Sequence, residues 1–270
     1  MTYYSLPGDI VAFSTNRKGG ASQGTYAEFN VNPYCGDDPN AVTANMASLA
    51  KALDITVNRM VMPHQTHGTE VRQITPWFFD EPTTAQKKYL EGVDALMTDM
   101  CGVCIGVSTA DCIPVLLYDT AHRAVSAIHA GWRGTVGRIV QKTVREMRKA
   151  FSTSPSDIHA IIGPGISLRN FEVGDEVYRD FLAAGFDMDL IARRYPVLRE
   201  EGEEGRMLKW HIDLWECNRL QLQQLGVLPQ NIQVAGICTF DNVQDFFSAR
   251  RLGIFSGRIF TGIMMTGVKE

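Results

Sequence analysis

Apolar positions along this chain recur with two different periods. In "DDPNAVTANMASLAKAL", Val42, Met46, Leu49 and Leu53 fall on one face at helical spacing, with Asp38 as N-cap and Pro39 at the first helical position. The run "TVGRIVQKTVREMRKAF" repeats the pattern: Val136, Ile139, Val140, Val144 and Met147 form a buried stripe behind a Thr135 cap. Two more helices are predicted over 175–184 and 213–225, the second stopped by Gly226. Between these lie "GVCIGV", "IPVLLY", "AVSAIH", "IHAIIG", "IQVAGI" and "RIFTGIMMTG", short β-rich runs that read as strands. They mix irregularly with the helices, so the expected fold is α+β, with mixed sheets flanked by helices.

No internal repeat, low-complexity tract or Pro/Ser-rich linker interrupts the pattern. The most polar stretch, "REEGEEGR" from Arg199, reads as a solvated loop, so residues 1–270 are expected to form one domain. The composition is ordinary for a globular protein, at 45% hydrophobic and 21% charged residues. A net charge of -4 argues against a dedicated nucleic-acid or anionic-membrane binder. The start, "MTYYSLPGDI", has neither a basic region nor a long apolar one, and no window reaches the length of a membrane span. A cytoplasmic location is therefore expected, with the six cysteines as thiols or ligands rather than disulfides. No GxGxxG, Walker loop or GxSxG elbow occurs in its required context.

Chemistry concentrates in "STADCIPVLLYDTAHRAVSAIHAGWRG". "IPVLLY" and "AVSAIH" are separated by "DTAHR", a polar insert suited to a hairpin loop. A turn centred between Thr120 and Ala121 makes Tyr118 face Arg123 and Cys112 face His129. Such a pair reads as a nucleophile with its base, as two metal ligands, or as a buried thiol beside a core histidine. The following "HAGWRGT" turns through Gly131 and Gly134 into a helix, where free N–H groups and Arg133 offer an anion subsite. Its plainer reading is a tight turn with a surface arginine.

Other candidates are less specific. "MPHQTHGTEV" supplies His64 and His67, which point to opposite faces of an extended segment, so at most one is expected to join a given site directly. "CGVC", holding Cys101 and Cys104, lacks a second CxxC and sits in an apolar run, as a structural pair would; Cys35 and Cys217 read likewise. His122 and His159 read as surface or packing residues, and His211 is undecided. "STNRKGGASQGTY" joins Arg17 to a glycine-rich loop, and "FFSARRLGIFSGR" gathers Ser248, Arg250, Arg251 and Arg258 beside aromatic rings. Both suit an anionic or heterocyclic ligand, and both also suit a solvated loop.

Taken together, "RKGGAS", "FNVNPYCGDDP", "HQTHGTEV", "DALMTD", "TADCIPVLLYD", "HAGWRGTVGRI", "IGPGIS", "FEVGDEV", "CTF" and "FFSARR" span nearly the whole chain. In this order they resemble a bacterial family whose members are called laccase-like polyphenol oxidase, peptidoglycan-editing factor or purine nucleoside phosphorylase, and which includes a human macrophage relative. The resemblance implies a zinc site made by His67, Cys112 and His129, with one tetrahedral position open as in catalytic zinc sites. It implies a single α/β domain with mixed sheets, likened to a toxin deamidase with a Cys/His dyad. The implied activities are phosphorolysis of adenosine, inosine and methylthioadenosine, and deamination of adenosine. On that reading Arg17, His64, Arg133, Ser248 and Arg250 contact nucleoside or phosphate, while Asp111 or His64 protonates the leaving base. Asn16 and Met46 depart from the commonest family pattern, where threonine and arginine are more usual. Alternatives are a copper-dependent polyphenol oxidase, a Cys112/His129 thiol hydrolase, and a non-catalytic guard of cell-wall precursor synthesis acting through a partner.

Overall fold

Strands Ile113–Asp119 and Ala124–Ala130 are buried along their whole length and form the centre of the computed structural model, which describes residues 1–196 and 208–267. The polar loop expected over residues 199–206 lies outside the described residues. These two strands belong to a six-stranded mixed sheet, in spatial order Ile232–Val234, Ile158–Ile162, Ile113–Asp119, Ala124–Ala130, Ala95–Thr98 and Val71–Gln73. A five-stranded sheet runs in the order Thr2–Tyr4, Ile10–Ser14, Ile259–Met265, Cys104–Thr109, Met60–Val61. A smaller sheet orders Glu172–Val173, Leu208–Ile212 and Ala192–Pro196. The architecture is the expected α+β one.

Alternation along the central strand explains its unbroken apolar sequence. Ile113, Val115 and Leu117 pack with Ile139, Val140, Val144 and Met147 of helix Ile139–Phe151 and with Leu214 and Leu222 of helix Leu214–Gln224. Leu116 and Tyr118 face the other way, onto Ile105, Val107 and Ile263 of the five-stranded sheet. Both faces are covered, so both parities must be apolar. Helix Pro39–Ala52 closes the outer face of the second sheet through Leu49, which packs with Phe13 and Phe260. Its N-cap is Asp38, as expected, accepting from the Asn40 N–H at 3.0 Å. The other two expected helices form over Asp175–Ala183 and Leu214–Gln224. No helix among the described residues is long and apolar enough to cross a membrane.

Two local expectations change. The hairpin pairs Pro114 with His129 and Tyr118 with Val125, two positions from the expected register. The Asp119 carboxylate accepts from the N–H groups of Ala121 and His122 at 3.0 and 3.1 Å and shapes a loop over residues 120–123, with Arg123 left-handed at φ 50°. An even shift preserves the face, so Cys112 stays beside His129 rather than opposite it. The helix expected from Thr135 is broken. It begins at Trp132, with Gly131 as N-cap, and stops at Val136. Arg138 is then left-handed at φ 61°, held by its bond to the Ala184 carbonyl at 2.7 Å and by the Phe186 ring 3.7 Å away. Thr135 is thus an interior helical residue, its N–H bonded to the Gly131 carbonyl.

Candidate functional site

Three chain segments converge where the two large sheets end. Cys112 follows Asp111, whose backbone has φ 86°, in the turn between strands Cys104–Thr109 and Ile113–Asp119. His129 lies one residue from the end of its strand, on the same face as Val125 and Ala127. His67 is left-handed at φ 64° in the loop before strand Val71–Gln73. Non-glycine residues in such backbone regions cluster at functional sites. One donor atom each from His67, Cys112 and His129 lies within 4.8 Å of the other two. A Cβ on Gly131 would come within 3.1 Å of both the Cys112 sulfur and the His67 ring, so this glycine leaves the group its space.

Asp94, which the sequence reading passed over, organises the cluster. Its side chain is fully buried and accepts from His129 Nδ1 at 2.7 Å, from the His67 N–H at 3.0 Å and from the Gly68 N–H at 2.7 Å. Its carbonyl also takes the His129 backbone N–H at 2.8 Å. One carboxylate therefore fixes the imidazole of His129 and the turn that carries His67. Burial alone would raise Asp94, but the His129 ring and the N–H groups of the 66–68 turn prevail and hold its carboxyl below the ordinary range. Gln65 completes the clamp: its side-chain amide donates to the Ser108 carbonyl and accepts from the Ser108 N–H, at 2.9 and 2.8 Å. "DALMTD" carried the signal for Asp94, as an acid set directly against an apolar strand.

Burial pushes the Cys112 thiol up, but the opposing charge of His129 and hydrogen bonds from both histidines outweigh it and bring it down to about 6. Burial pulls His129 down, and the Cys112 thiolate and Asp94 drive it up to about 9. The pair is a thiolate beside an imidazolium at neutral pH. Two imidazoles, a thiolate, and a carboxylate on the far nitrogen of one ring form a donor set that can hold a metal ion.

The cluster sits on the wall of an open cavity of 680 Å³. His64 and Arg250 line it too, as do Tyr34, Cys35, Asp111 and Arg258. Both histidines of "HQTH" therefore reach one cavity, against the expectation for an extended segment, because the chain turns at His67. Arg17, Arg133 and Ser248 do not line it. Arg17 spends its guanidinium on the Ala27 and Val243 carbonyls, at 2.9 and 2.7 Å, and on the Phe247 ring. Arg133 lies exposed over Trp132 in a five-residue helix. Ser248 is buried and caps helix Ala249–Leu252 by accepting the Arg251 N–H. Asp111 lines the cavity with both carboxylate oxygens engaged, by the Thr239 hydroxyl and the Arg250 N–H, each at 2.7 Å. Cys104 is sealed in the core and pushed up to about 12 by burial, and His211 is tied to the Leu168 carbonyl.

A family model described as "Multi-copper polyphenol oxidoreductase laccase" matches residues 11–266. A protein of Bacteroides thetaiotaomicron named purine nucleoside phosphorylase is 48% identical over 257 residues, covering 95% of this chain and 92% of that protein. Adenosine deaminase RL5, from an unknown prokaryotic organism, is 42% identical over 254 residues, 94% of this chain and 93% of its own. The crystal structure of YlmD from Geobacillus stearothermophilus superposes with a TM-score of 0.81 at 31% identity, over 96% of this chain and 93% of that one. That of YfiH from Bacillus licheniformis gives 0.84 at 27% identity, over 95% and 93%. The matched span holds every residue of the cavity wall, and the chain belongs to the multi-copper polyphenol oxidoreductase laccase family.

Proposed function

We propose that the chain is a zinc-dependent purine nucleoside phosphorylase acting on adenosine, inosine and methylthioadenosine, with adenosine deaminase activity. The observation that carries this reading is a His67–Cys112–His129 donor group on the wall of a 680 Å³ cavity, a volume suited to a nucleoside with phosphate. The relatives named purine nucleoside phosphorylase and adenosine deaminase support it. Zinc, when bound by His67, Cys112 and His129, supplies Lewis acidity at the cavity wall. Asp94 keeps the Nδ1 proton of His129 engaged and leaves the other nitrogen as the donor. Arg250 provides the cation for phosphate: its residue lines the wall, and among the described residues its guanidinium meets the Glu172 carbonyl, at 3.2 Å, and the Phe171 ring. Asp111 anchors the Arg250 backbone and so sets where that charge stands. Ser248 contributes indirectly, by capping the short helix that carries Arg250. All six cysteines are free, which supports a reducing, cytoplasmic setting.

The family description favours a second reading, a copper-dependent oxidase of phenols. Among the described residues only one group offers three metal-ligating side chains, whereas reduction of oxygen to water draws on several coppers. Metal content measured beside product analysis separates the readings. The expected result is about one zinc per chain, adenine released from adenosine only with phosphate, and inosine formed without it. Cys112→Ala should abolish both products together with the metal. Base release independent of phosphate, with metal intact, would remove phosphorolysis.

A further inference from the structure

We propose that His64, held by Glu91 and stacked on Tyr34, is the general acid that protonates the departing purine; the assignment rests on the phosphorylase reading above. Three contacts fix the ring. The His64 N–H bonds to the Leu90 carbonyl and the His64 carbonyl accepts from the Gly92 N–H, both at 3.0 Å, which clips the residue to the segment bearing Glu91. Its Nδ1 lies 2.8 and 2.9 Å from the two Glu91 oxygens. Tyr34 stacks on the ring, with centroids 4.2 Å apart and planes 24° from parallel. With Nδ1 engaged, Nε2 is the nitrogen left without a hydrogen-bond partner among the described residues, and the ring lines the cavity.

The other acids and bases of the wall, apart from the Tyr34 phenol stacked on His64, have partners of their own. Asp111 has both oxygens engaged, by the Thr239 hydroxyl and the Arg250 N–H. The Cys35 thiol is turned to the Asn32 carbonyl. His67, Cys112 and His129 form the donor group. Arg250 and Arg258 keep their protons throughout. A carboxylate on one imidazole nitrogen and a second nitrogen left free on a cavity-lining ring is the arrangement of an oriented acid–base histidine.

The C1′–N9 bond of the nucleoside breaks and its electron pair leaves with the purine, which receives the Nε2 proton of His64. An oxygen of hydrogenphosphate forms the new bond to C1′. The proton that hydrogenphosphate loses returns to His64, so the sum is nucleoside plus hydrogenphosphate giving ribose 1-phosphate and free base. Glu91 is a positioning residue in this scheme, since it acts through the ring.

The test compares inosine with 7-methylinosine, whose alkylated, positively charged base departs without needing a proton. His64→Ala should lower kcat on inosine by about 100-fold or more and change 7-methylinosine by less than about threefold, with metal content and Tm preserved. Glu91→Gln should show the same selectivity at about tenfold. Equal losses on both nucleosides, or none on either, overturn the assignment. If His64→Ala loses metal or folding, Glu91→Gln decides by its selectivity. If the unmodified protein releases base from neither nucleoside in phosphate, the phosphorylase reading fails and the acid role with it, an outcome distinct from wild-type turnover without selectivity.

Discussion

Glu91 and Asp94 stand three residues apart on the segment entering strand Ala95–Thr98, and each serves a histidine on the cavity wall. His129 and Asp94 are 3% and 0% exposed, their side chains 2.7 Å apart. His64 and Glu91 are 35% and 60% exposed, at 2.8 Å. The contacts are alike in length and unlike in setting. Deep in the fold, Asp94 has no solvent to turn towards, so protein donors surround it and the ring it holds is fixed in place. At the rim, Glu91 remains exposed to solvent, and His64 keeps its second nitrogen free of protein partners among the described residues. Burial makes one pair a bracket for ligands and leaves the other free to move protons.

The largest effect should follow from breaking the buried pair. Asp94→Ala strips the partner from His129 Nδ1 and from the 66–68 turn, and leaves the charged ring and thiolate uncompensated. We expect zinc affinity to fall by about 10–100-fold in a chelator competition, as for other groups that orient metal ligands. Urea unfolding of the metal-free protein should lose about 3–5 kcal/mol. A loss below about 1 kcal/mol would put Asp94 on a level with a surface pair and erase the contrast.

Next in size is a pH effect confined to the buried side. In metal-free protein, Cys112 alkylation by iodoacetamide should rise through pH about 6, not 9, while Cys104, near 12, stays inert. Stability should behave differently. Cys112 is depressed, so its contribution is lost as pH falls through about 6. His129 is raised to about 9 from 6.5, so its contribution is lost as pH rises through about 9. Between about 6.5 and 9 the unfolded chain carries one proton on the thiol and the folded chain one on the imidazole, so the two slopes cancel. A Tm flat across that range beside a steep labelling curve is the expected signature. Labelling that begins only above pH 8 would refute it.

Much of the buried side could be read from sequence, and the gaps have physical causes. The two central strands stand out because burial on both faces leaves an unbroken apolar run. Short strands such as Met60–Val61 and Glu172–Val173 are too brief for any period to register. The hairpin register slipped by two because the Asp119 side chain, not strand propensity, sets the loop. Parity survived the slip, so Cys112 and His129 were still brought together, while His67 came only from the resemblance. The exposed side was harder. His64 and Glu91 are 27 residues apart in sequence, and they meet through an isolated backbone bridge of His64 to Leu90 and Gly92 that no periodicity announces. Arg17 and Ser248 look like ligand contacts by type; in the fold their polar atoms bond to backbone groups of their own surroundings.

The smallest effect should be on the rim pair, and it sharpens the comparison most. A double-mutant cycle on His64 and Glu91 should give a coupling of about 0–1 kcal/mol in unfolding free energy, the range of exposed ion pairs. Even without Glu91, His64 keeps its backbone bonds to Leu90 and Gly92 and its stack on Tyr34. The same cycle on His129 and Asp94 should give a clearly larger value, because their partners are shared and no water replaces them. A rim coupling above about 2 kcal/mol would show that Glu91 holds the fold together rather than only orienting the His64 ring. A weak coupling beside a strong, substrate-selective loss of turnover is what separates an oriented acid from a structural bracket.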